Sequence, residues 1–307
     1  MTQVVVVGSI NQDYLIRVNS LPALGETVLA LDLVKQAGGK GANQAVAAAR
    51  LGADVGFVGA VGDDADGAQM LLQLRSEGIR TGDVEVVSEP TGSAMVYIVD
   101  NGDNSIVVVP GANAGLNAAR VGRAVRRLCS SASVLVLQAE IAPDVIDVAV
   151  RTAVDCGARV VFNLAPFVAL PEALLSLADP LVLNESEASA LLGRAVGADV
   201  DGLAAAVTLQ RSLATSIVIT LGPEGAVWAD AGDAGACPAP DVERVVDTTG
   251  AGDAFIGALA TRLAAGATLR ESVALGVRAG AFAVARRGAQ SSYPALSDLV
   301  VPSTPPG

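Results

Sequence analysis

The nine residues Asp247–Phe255 read DTTGAGDAF; they follow a short apolar run and lead into a segment with helical spacing. Gly250 and Gly252 have no Cβ, so backbone amides can approach a ligand closely at these positions. A helix that begins here points its unpaired N–H groups and the positive end of its dipole into the same space. Asp253 would lie in the first turn of that helix, beside any anion that the amides hold. The stretch therefore predicts either an anion site with a carboxylate base or an ordinary helix start with an acidic first turn.

The size and composition of the chain favour a large folded body. Of its 307 residues, 51% are hydrophobic, which supports a sizeable core in one large domain or two ordinary ones. No apolar run approaches the roughly 18 residues of a membrane span. The first residues enter a strand-like run without a basic segment, and Cys129, Cys156 and Cys237 are widely spaced. We therefore expect a cytoplasmic protein with free thiols and no zinc site.

The charge balance and the lack of histidine narrow the possible chemistry. The 20 basic and 32 acidic side chains give a net charge of −12, which argues against nucleic acid or an anionic membrane as the main partner. The chain contains no histidine, so imidazole-based triads, proton shuttles and metal sites are excluded. Any acid–base catalysis therefore falls on carboxylates.

Strand and helix patterns alternate regularly over most of the chain. Val4–Val7 is a valine run typical of a strand buried on both faces. From about residue 117 onward, helical spacing alternates with short apolar runs, which predicts parallel βαβ units. The helices predicted in this part span 117–128, 143–155, 185–192, 201–213 and 270–285. We expect one domain over 1–307, an α/β fold with a doubly wound, mainly parallel sheet and helices on both faces.

Several short β-prone pieces interrupt this alternation in the first third of the chain. They lie at 15–18, 27–35, 83–87, 93–99 and 105–109, with Asn101-Gly102 as a strong hairpin turn. Together they predict a small separate β-sheet that projects from the body as a lid. We place the lid segments at about 14–36 and 93–109.

Polar residues follow the predicted strands at the points where they end. The stretches are Asn11-Gln12-Asp13, Gln138-Ala139-Glu140, Asn163, Asn184-Glu185-Ser186-Glu187 and Thr220-Leu221-Gly222. Open α/β sheets bind ligands at their carboxyl edge, so this recurrence favours an active site there. Asn184 and Glu187 share a helix face and suit a magnesium–water cluster, but a helix cap explains the same pair equally well.

Gly38–Asn43 is a second glycine-rich turn, placed before a helix predicted over 44–51. It is not a Walker A loop, because Gly41 follows Lys40 where that loop requires Ser or Thr. Asn43 would lie in the first turn of the helix, with a carboxamide that can pair with hydroxyl groups.

Three motifs together resemble those of the phosphofructokinase-B-type carbohydrate kinases, in particular the ribokinase branch of that family. They are Gly8–Asp13 (GSINQD), Gly38–Ala48 (GGKGANQAVAA) and Asp247–Asp253 (DTTGAGD). Further support comes from Asn184-x-x-Glu187, Thr220–Gly222 and Arg287–Gln290. The similarity extends over nearly the whole chain. It implies the ribokinase-like fold and transfer of the γ-phosphoryl group of ATP to O5 of D-ribose.

The resemblance also implies roles for individual residues, with Asp253 as the catalytic base beside an anion hole at Gly250, Ala251 and Gly252. The expected sugar-binding residues are Asn11, Asp13, Gly39, Lys40, Asn43, Val96, Glu140 and Asp253. The expected ATP-binding residues are Asn184, Glu187, Thr220, Leu221, Gly222, Pro223, Glu224, Gly225, Gly252, Asp253 and Val277. Glu187 is also expected to hold magnesium through water. An activating potassium ion is expected at Asp247, Thr249, Ala283, Arg286, Gly288 and Ser292, mostly through backbone carbonyls, and a homodimer is expected through the lid.

Two positions depart from the family's pattern. Val277 stands where some members have a histidine near the adenine, and Thr249 replaces an aliphatic residue. Neither position lies in the phosphoryl-transfer machinery that the resemblance implies.

Three alternatives to a ribose kinase remain at this point. The nearest is a related kinase for 2-deoxyribose, a ketohexose or a nucleoside, and a more distant one is a non-catalytic sugar-binding regulator. A dinucleotide-dependent dehydrogenase is disfavoured, because the first strand ends in Gly8–Gln12 (GSINQ) rather than in G-x-G-x-x-G.

Overall fold

The computed structural model describes residues 4–99 and 104–299, and its largest feature is a nine-stranded sheet. The strands, in spatial order, are β13 (Ala234–Cys237), β12 (Ala226–Ala229), β11 (Ile217–Thr220), β10 (Leu181–Asn184), β9 (Arg159–Asn163), β8 (Val134–Gln138), β1 (Val4–Val7), β4 (Val55–Gly62) and β5 (Arg80–Val87). The seven strands from β11 to β5 are parallel. β12 and β13 extend the sheet as an antiparallel hairpin at one edge.

Helices cover both faces of this sheet. One face carries α1 (Lys40–Arg50), α2 (Ala65–Ser76), α8 (Ala251–Ala264) and α9 (Leu269–Val284), with the short α10 (Leu296–Leu299) beside α9. The other face carries α3 (Ala118–Leu128), α4 (Pro143–Asp155), α5 (Glu172–Leu175), α6 (Glu185–Leu192) and α7 (Gly202–Ser212). Among the described residues, no helix combines the length and the apolar character needed to cross a membrane.

β1 shows why the sheet must be covered on both sides. All four of its valines are fully buried, between β4 on one side and β8 on the other. Val4 and Val6 belong to the core under α1 and α8, whereas Val5 and Val7 belong to the core under α3 and α4. Because side chains alternate across a strand, an uninterrupted apolar run requires a hydrophobic layer on each face.

A second, four-stranded sheet lies beside the body. Its spatial order is β3 (Asp32–Gly38), β2 (Asn11–Val18), β6 (Gly92–Val99) and β7 (Asn104–Val109). The two central strands are parallel and the two outer ones pair antiparallel to them. Tyr14 donates a hydrogen bond of 2.6 Å to Asp66 of α2, and Lys35 lies 3.2 Å from the same carboxylate, which attaches this sheet to the body.

The predicted α/β architecture and the separate small sheet are both confirmed. One assignment is wrong, because 83–87 belongs to β5, the edge strand of the large sheet, and not to the small one. The first helix begins at Lys40 rather than at residue 44. The strand predicted at 27–35 lies at Asp32–Gly38. The predicted turn Asn101-Gly102 lies outside the described residues.

The contact between α1 and α8 positions the polar residues at their N-termini. A Cβ added at Gly257 of α8 would lie 2.5 Å from Ala47 Cβ and 2.7 Å from Ala48 N of α1. The helices are therefore as close as glycine and alanine allow, which brings the first turn of α1 against the first turn of α8.

We expect Gly257→Ala to lower the free energy of unfolding by about 1–3 kcal/mol, because the added methyl group would overpack this contact. Gly82→Ala is the matched control, since a Cβ there meets nothing within 4 Å, and its effect should stay within about 0.5 kcal/mol. Urea denaturation measures both variants. An unchanged midpoint for Gly257→Ala would contradict the close packing.

Candidate active site

The polar cluster at the carboxyl edge of the large sheet is built from two helix starts and several strand ends. α1 begins after Gly39, and α8 begins after Gly250. Both glycines have positive φ, 85° and 75°, which a residue with a Cβ rarely adopts. Since helix N-termini present unpaired N–H groups, two such ends in one place form a strongly anion-attracting region.

Asp253 lies in the first turn of α8 and is only 8% exposed. Asn43 Nδ2 donates to its Oδ2 at 2.9 Å, and Gln44 Nε2 donates to its Oδ1 at 2.9 Å. Both oxygens of this buried carboxylate therefore accept a hydrogen bond from adjacent residues of α1. These two bonds fix the orientation of the carboxylate.

The three residues before Asp253 differ in their hydrogen bonds and in the free space around them. The amide of Ala251 contacts the Thr248 carbonyl at 3.3 Å, a long contact within the turn. Gly250 is packed tightly, since a Cβ there would lie 2.6 Å from Tyr293 Oη. A Cβ at Gly252, in contrast, would meet nothing within 4 Å, so a ligand can approach the helix start from that side.

Three acidic residues share this region with one lysine. Burial, together with the nearby Glu140 and Asp253 carboxylates, raises the pKa of Asp13 to about 7, and Lys40 partly opposes this. Asp13 Oδ1 is buried without a hydrogen-bond partner among the described residues. Burial disfavours the charged ammonium of Lys40, but the carboxylates around it raise its pKa nonetheless. An unsatisfied buried acceptor beside a buried cation is a position where a hydroxyl group of a ligand can donate.

Glu140 and Asn11 connect the body to the small sheet at this point. Glu140 Oε2 accepts from Ser9 Oγ at 2.5 Å and from the Lys40 amide at 3.0 Å, so it stabilises the start of α1. Asn113 Nδ2 donates to Asn11 Oδ1 at 2.8 Å and orients that side chain. A cavity of about 320 Å³ is lined by residues that include Ser9, Asn11, Val108, Asn113 and Glu140. Its size fits a compact polar molecule.

Val96 and Gly39 occupy different parts of this region. Val96 pairs with Leu15 and Ile106 within the small sheet. A Cβ at Gly39 would lie 2.8 Å from the Asn11 amide, so Gly39 allows α1 to start directly against β2.

A larger cleft of about 690 Å³ opens on the other side of the α8 start. Gly222, Pro223, Gly225 and Val277, all expected on the nucleotide side, line it. Ala251, expected at the anion hole, lines it as well. The rest of its lining has no role in the sequence prediction and consists of Ala239, Pro240, Asp241, Val242, Val245, Thr248, Phe255, Gly280, Ala281 and Val284. The cleft is mainly apolar, which suits the flat base of a nucleotide with its phosphates toward the amides of α8.

Asn184 and Glu187 form the helix cap that the sequence left as one of two options. Glu187 Oε2 accepts from the Asn184 amide and Asn184 Oδ1 accepts from the Glu187 amide, both at 2.8 Å. Burial raises the pKa of Glu187, and the Asn184 amide and Lys40 oppose this. No group of three or more acidic or cysteine side chains able to hold a metal occurs in the described part of the chain. The Asn184 and Glu187 side chains carry oxygen donors, the type of ligand that Mg²⁺ prefers.

Asp247 joins the turn before α8 to the loop after α9. Its Oδ1 accepts from the Thr249 amide and its Oδ2 from the Gly288 amide, both at 2.9 Å. Burial opposes its charge, but hydrogen bonds from Thr249 and Gly288 lower the pKa of Asp247 below its usual value.

Of the other residues expected around potassium, Ala283 lies in the last turn of α9, and Arg286, Gly288 and Ser292 lie in the segment that follows α9. The Ala283 carbonyl accepts from the Arg286 amide at 3.0 Å, and Ser292 is fully buried with its Oγ donating to the Ala289 carbonyl. The Arg286 guanidinium lies over the Phe282 ring, 3.4 Å from its centroid, so only its backbone can face an ion in this turn.

Four amide side chains near Asp253 received no individual role in the sequence prediction. They are Gln44, Gln138, Asn163 and Gln290. Gln138 and Asn163 do follow strand ends, which was the available signal. Gln44 and Gln290 are distant from any strand end, and only the packing of α1 and the last loop brings them in.

Comparison with known proteins gives a consistent result. The model of the "pfkB family carbohydrate kinase" matches residues 1–296. The ribokinase of Schizosaccharomyces pombe is 36% identical over 97% of this chain and 97% of its own length. The ribokinase of Haemophilus influenzae is 37% identical over 96% of each chain. The deoxyribokinase of Salmonella typhimurium is 36% identical over 96% of this chain and 97% of its own.

Solved structures agree with the sequence relatives. The ribokinase of Thermotoga maritima superposes with a TM-score of 0.88 at 31% identity, covering 97% of this chain and 98% of that one. The Arabidopsis thaliana ribokinase, complexed with ribose and ATP, gives 0.87 at 30% identity and 97% coverage of both chains. The Escherichia coli phosphofructokinase-2 in complex with potassium gives 0.79 at 25% identity, again with 97% coverage of both. The ribokinase-like fold is thus confirmed.

The raised pKa of Asp13 predicts how stability responds to pH. Between pH 3.8 and about 7 the unfolded chain loses the Asp13 proton while the folded chain keeps it, so the ionisation of Asp13 destabilises the fold as pH rises through this window. Asp13→Asn removes that cost. We expect its free energy of unfolding, relative to the parent protein, to increase by about 1–3 kcal/mol from pH 5 to pH 8.

Asp32→Asn, at an exposed position of β3, is the control for this measurement by urea denaturation. Its difference from the parent should be nearly the same at both pH values. An equally flat response for Asp13→Asn would contradict the raised pKa.

Proposed function

The chain belongs to the pfkB family of carbohydrate kinases, and we propose that it transfers the γ-phosphoryl group of ATP to the O5 hydroxyl of D-ribose. The products are D-ribose 5-phosphate and ADP. The observation that carries this proposal is the position of Asp253. It is a buried carboxylate in the first turn of α8, the helix whose first residue, Ala251, lines the nucleotide-sized cleft, and it accepts a hydrogen bond from Asn43, which is expected on the sugar side. We propose that residues 1–307 act as one kinase domain with the small sheet as its lid, at about 14–36 and 93–109.

In this mechanism Asp253 accepts the O5 proton as the oxygen attacks the γ-phosphorus. Asn43 and Gln44 each donate to one carboxylate oxygen and thereby hold the base in place for this proton transfer. The amides at Gly250, Ala251 and Gly252 and the dipole of α8 stabilise charge on the transferring group. Lys40, surrounded by carboxylates, adds a positive charge on the sugar side.

We assign the hydroxyl groups of the sugar to the polar cluster beside the small sheet. Asp13, with an unpaired buried oxygen, accepts from a hydroxyl, and Asn11, Asn43 and Glu140 complete the set with the Gly39–Lys40 turn. Val96 is assigned to the lid above the ring. The Arabidopsis ribokinase bound to ribose and ATP, similar over nearly the whole chain, supports this class of substrates.

The adenine is assigned to the apolar cleft along α9, where Val277 is 6% exposed. Gly222, Pro223 and Gly225 contribute the opposite wall, with Thr220, Leu221 and Glu224 at the base of the same turn. Asn184 and Glu187 face the phosphate side. A magnesium ion bound with ATP would neutralise phosphate charge, and Glu187 would hold it through water.

A potassium ion is proposed at the two joined loops around Asp247. Carbonyl groups near Thr249, Ala283, Arg286, Gly288 and Ser292 and the ionised Asp247 carboxylate are ligands suited to a monovalent cation. The likeness to a phosphofructokinase-2 structure in complex with potassium supports the assignment.

A kinase for 2-deoxyribose is the second candidate. A deoxyribokinase is as similar to this chain as one of the ribokinases, at 36% identity. The two sugars differ in one hydroxyl. We assign the hydroxyl that only ribose carries to the buried Asp13 oxygen without a partner. This assignment favours ribose, because 2-deoxyribose would leave that acceptor unsatisfied.

The small sheet also supports a homodimer as the working assembly. Leu33, Val34, Ile106, Val107 and Val108 are each about half exposed, and they lie on both faces of the sheet. Exposed apolar side chains grouped on the outer strands of a sheet are typical of an interface. A second copy of the chain is the proposed partner, and a reducing, cytoplasmic location is proposed from the free cysteines.

Asp253→Asn should lower turnover by about 10² to 10⁴-fold, because the proton acceptor is lost. Ribose binding should persist, since the amide keeps the shape of the side chain. ADP release measures turnover and calorimetry measures binding, with the exposed Asp298→Asn as control. Near-parent turnover in Asp253→Asn would refute the base assignment.

The same ADP-release assay decides the substrate. We expect kcat/KM for D-ribose to exceed that for 2-deoxyribose by about tenfold or more, because one acceptor is left unpaired with the second sugar. The reverse order would make the protein a deoxyribose kinase. Sugar binding without any ADP release would make it a regulator.

Potassium chloride should raise the rate by about fivefold or more over lithium chloride at equal ionic strength. Asp247→Asn should lose most of this response, because the charged ligand is removed. Equal rates in the two salts would contradict the cation site.

The assembly is tested by Ile106→Lys and Val107→Lys, which place a charge on opposite faces of β7. We expect the parent to sediment as a dimer and the variant on the buried face to sediment as a monomer. A monomeric parent protein would exclude the dimer.

A further inference from the structure

Asp253 lies at the centre of a buried row of side-chain amides that extends beyond the residues already assigned. On one side the row continues from Gln44 to Gln138 and Asn163. On the other side it continues from Asn43 to Gln290 and Gln73. Gln44 and Gln138 are at most 1% exposed, and Asn43 and Gln290 are about 5% exposed.

In the first half of the row, the Gln44 side-chain amide can take only one orientation. Gln44 Nε2 donates to Asp253 Oδ1 at 2.9 Å and to Asn163 Oδ1 at 3.0 Å, while Gln44 Oε1 accepts from Gln138 Nε2 at 2.6 Å. A reversed Gln44 amide would place its oxygen against two other oxygens and its NH₂ group against that of Gln138. The neighbours therefore force Gln44 to donate to the carboxylate.

In the second half of the row, which approaches Asp253 from the other side, the amides also donate toward the carboxylate. Asn43 Nδ2 donates to Asp253 Oδ2 at 2.9 Å, and Asn43 Oδ1 accepts from Gln290 Nε2 at 3.0 Å. Gln290 Oε1 accepts in turn from Gln73 Nε2 at 2.8 Å. The Arg50 guanidinium holds the Gln290 carbonyl at 2.5 Å, so the backbone of this loop is fixed as well.

The amides of Gln138 and Gln44 on one side, and of Gln73, Gln290 and Asn43 on the other, thus donate toward Asp253, whereas Asn163 accepts from Gln44. We propose that Gln44 and Gln290 are positioning residues for the catalytic base: they fix the orientation of the Asp253 carboxylate and keep it an acceptor, ready for the hydroxyl proton. The inference rests on the proposed role of Asp253 and deepens it. A carboxylate that is removed from water needs charge-assisted hydrogen bonds, and the row supplies one to each oxygen.

The two residues should act differently in kinetics. Gln44 hydrogen-bonds to Asp253 and to no other side chain assigned to the sugar, so we expect it to affect kcat far more than KM. Gln290 acts through Asn43, which is assigned both to the sugar and to Asp253, so it should affect kcat and KM together. A residue with a merely structural role would show neither pattern.

The experiment measures kcat and the KM for D-ribose in Gln44→Leu and Gln290→Leu of the full chain. We expect kcat of Gln44→Leu to fall about 10- to 100-fold, because one charge-assisted hydrogen bond to the base is lost. Its KM should change less than about threefold. Gln290→Leu should lower kcat and also raise KM about three- to tenfold.

Gln210→Leu is the matched control, a half-buried glutamine near the end of α7, which packs on the opposite face of the sheet from α8. Its kcat and KM should equal those of the parent. If Gln44→Leu does not fold, as judged by thermal unfolding, the isosteric Gln44→Glu replaces it and should lower kcat at least as strongly, because an ionised carboxylate cannot donate.

Two outcomes overturn the inference. One is a kcat within about twofold of the parent in folded Gln44→Leu or Gln44→Glu. The other is an unchanged KM in Gln290→Leu. Asp253→Ala, measured alongside, separates this result from a failure of the proposed function. If Asp253→Ala retains turnover, the base assignment itself is wrong. If it loses turnover while the glutamine variants do not, only the positioning role is wrong.

Discussion

The close contact between α1 and α8 is the constraint on which the rest of the site depends. Glycine at 257 and alanines at 47 and 48 let the two helices approach until a methyl group would not fit between them. As a result, the first turns of both helices meet, and Asn43 and Gln44 reach the carboxylate of Asp253. Two helix dipoles then point into one region, which attracts anions although the protein as a whole carries a charge of −12.

The pKa values in this region are shifted because several carboxylates surround a single lysine. Lys40 is surrounded by Asp13, Glu140, Glu187 and Asp253, and these carboxylates together raise its pKa against the effect of burial. Asp13 shows the reverse effect, because burial and like charges raise its pKa to about 7. A substrate rich in hydroxyl donors lowers the cost of burying these like charges, since each donated hydrogen bond stabilises an ionised carboxylate. The site is therefore better matched to a sugar than to a second anion on that side.

The small sheet is connected to this site both by side-chain contacts and by the chain itself, because β2 follows β1 directly. β2 begins at Asn11, only a few residues after β1 ends, so the strand that carries Asn11 and Asp13 is also the central strand of the sheet beside the body. Asn113, in the turn after β7, hydrogen-bonds to Ile10 and Asn11 and closes the small sheet onto the end of β1. The position of the small sheet and the orientation of Asn11 are thus linked.

Much of this could be read from the sequence, because the relevant signals are local. Valine runs, helical spacing and the DTTGAGD motif determine buried strands, helices and an anion-attracting helix start within a few residues of chain. Asp253 was identifiable for the same reason, since its place in the first turn depends only on its neighbours. What only the tertiary structure decided involves residues distant in sequence. Asn43 and Asp253 are 210 positions apart, and Gln290 lies another 37 positions beyond Asp253. No local pattern specifies the direction in which their amides donate, because that direction is determined by partners that only the packing of α1, α8 and the last loop brings together.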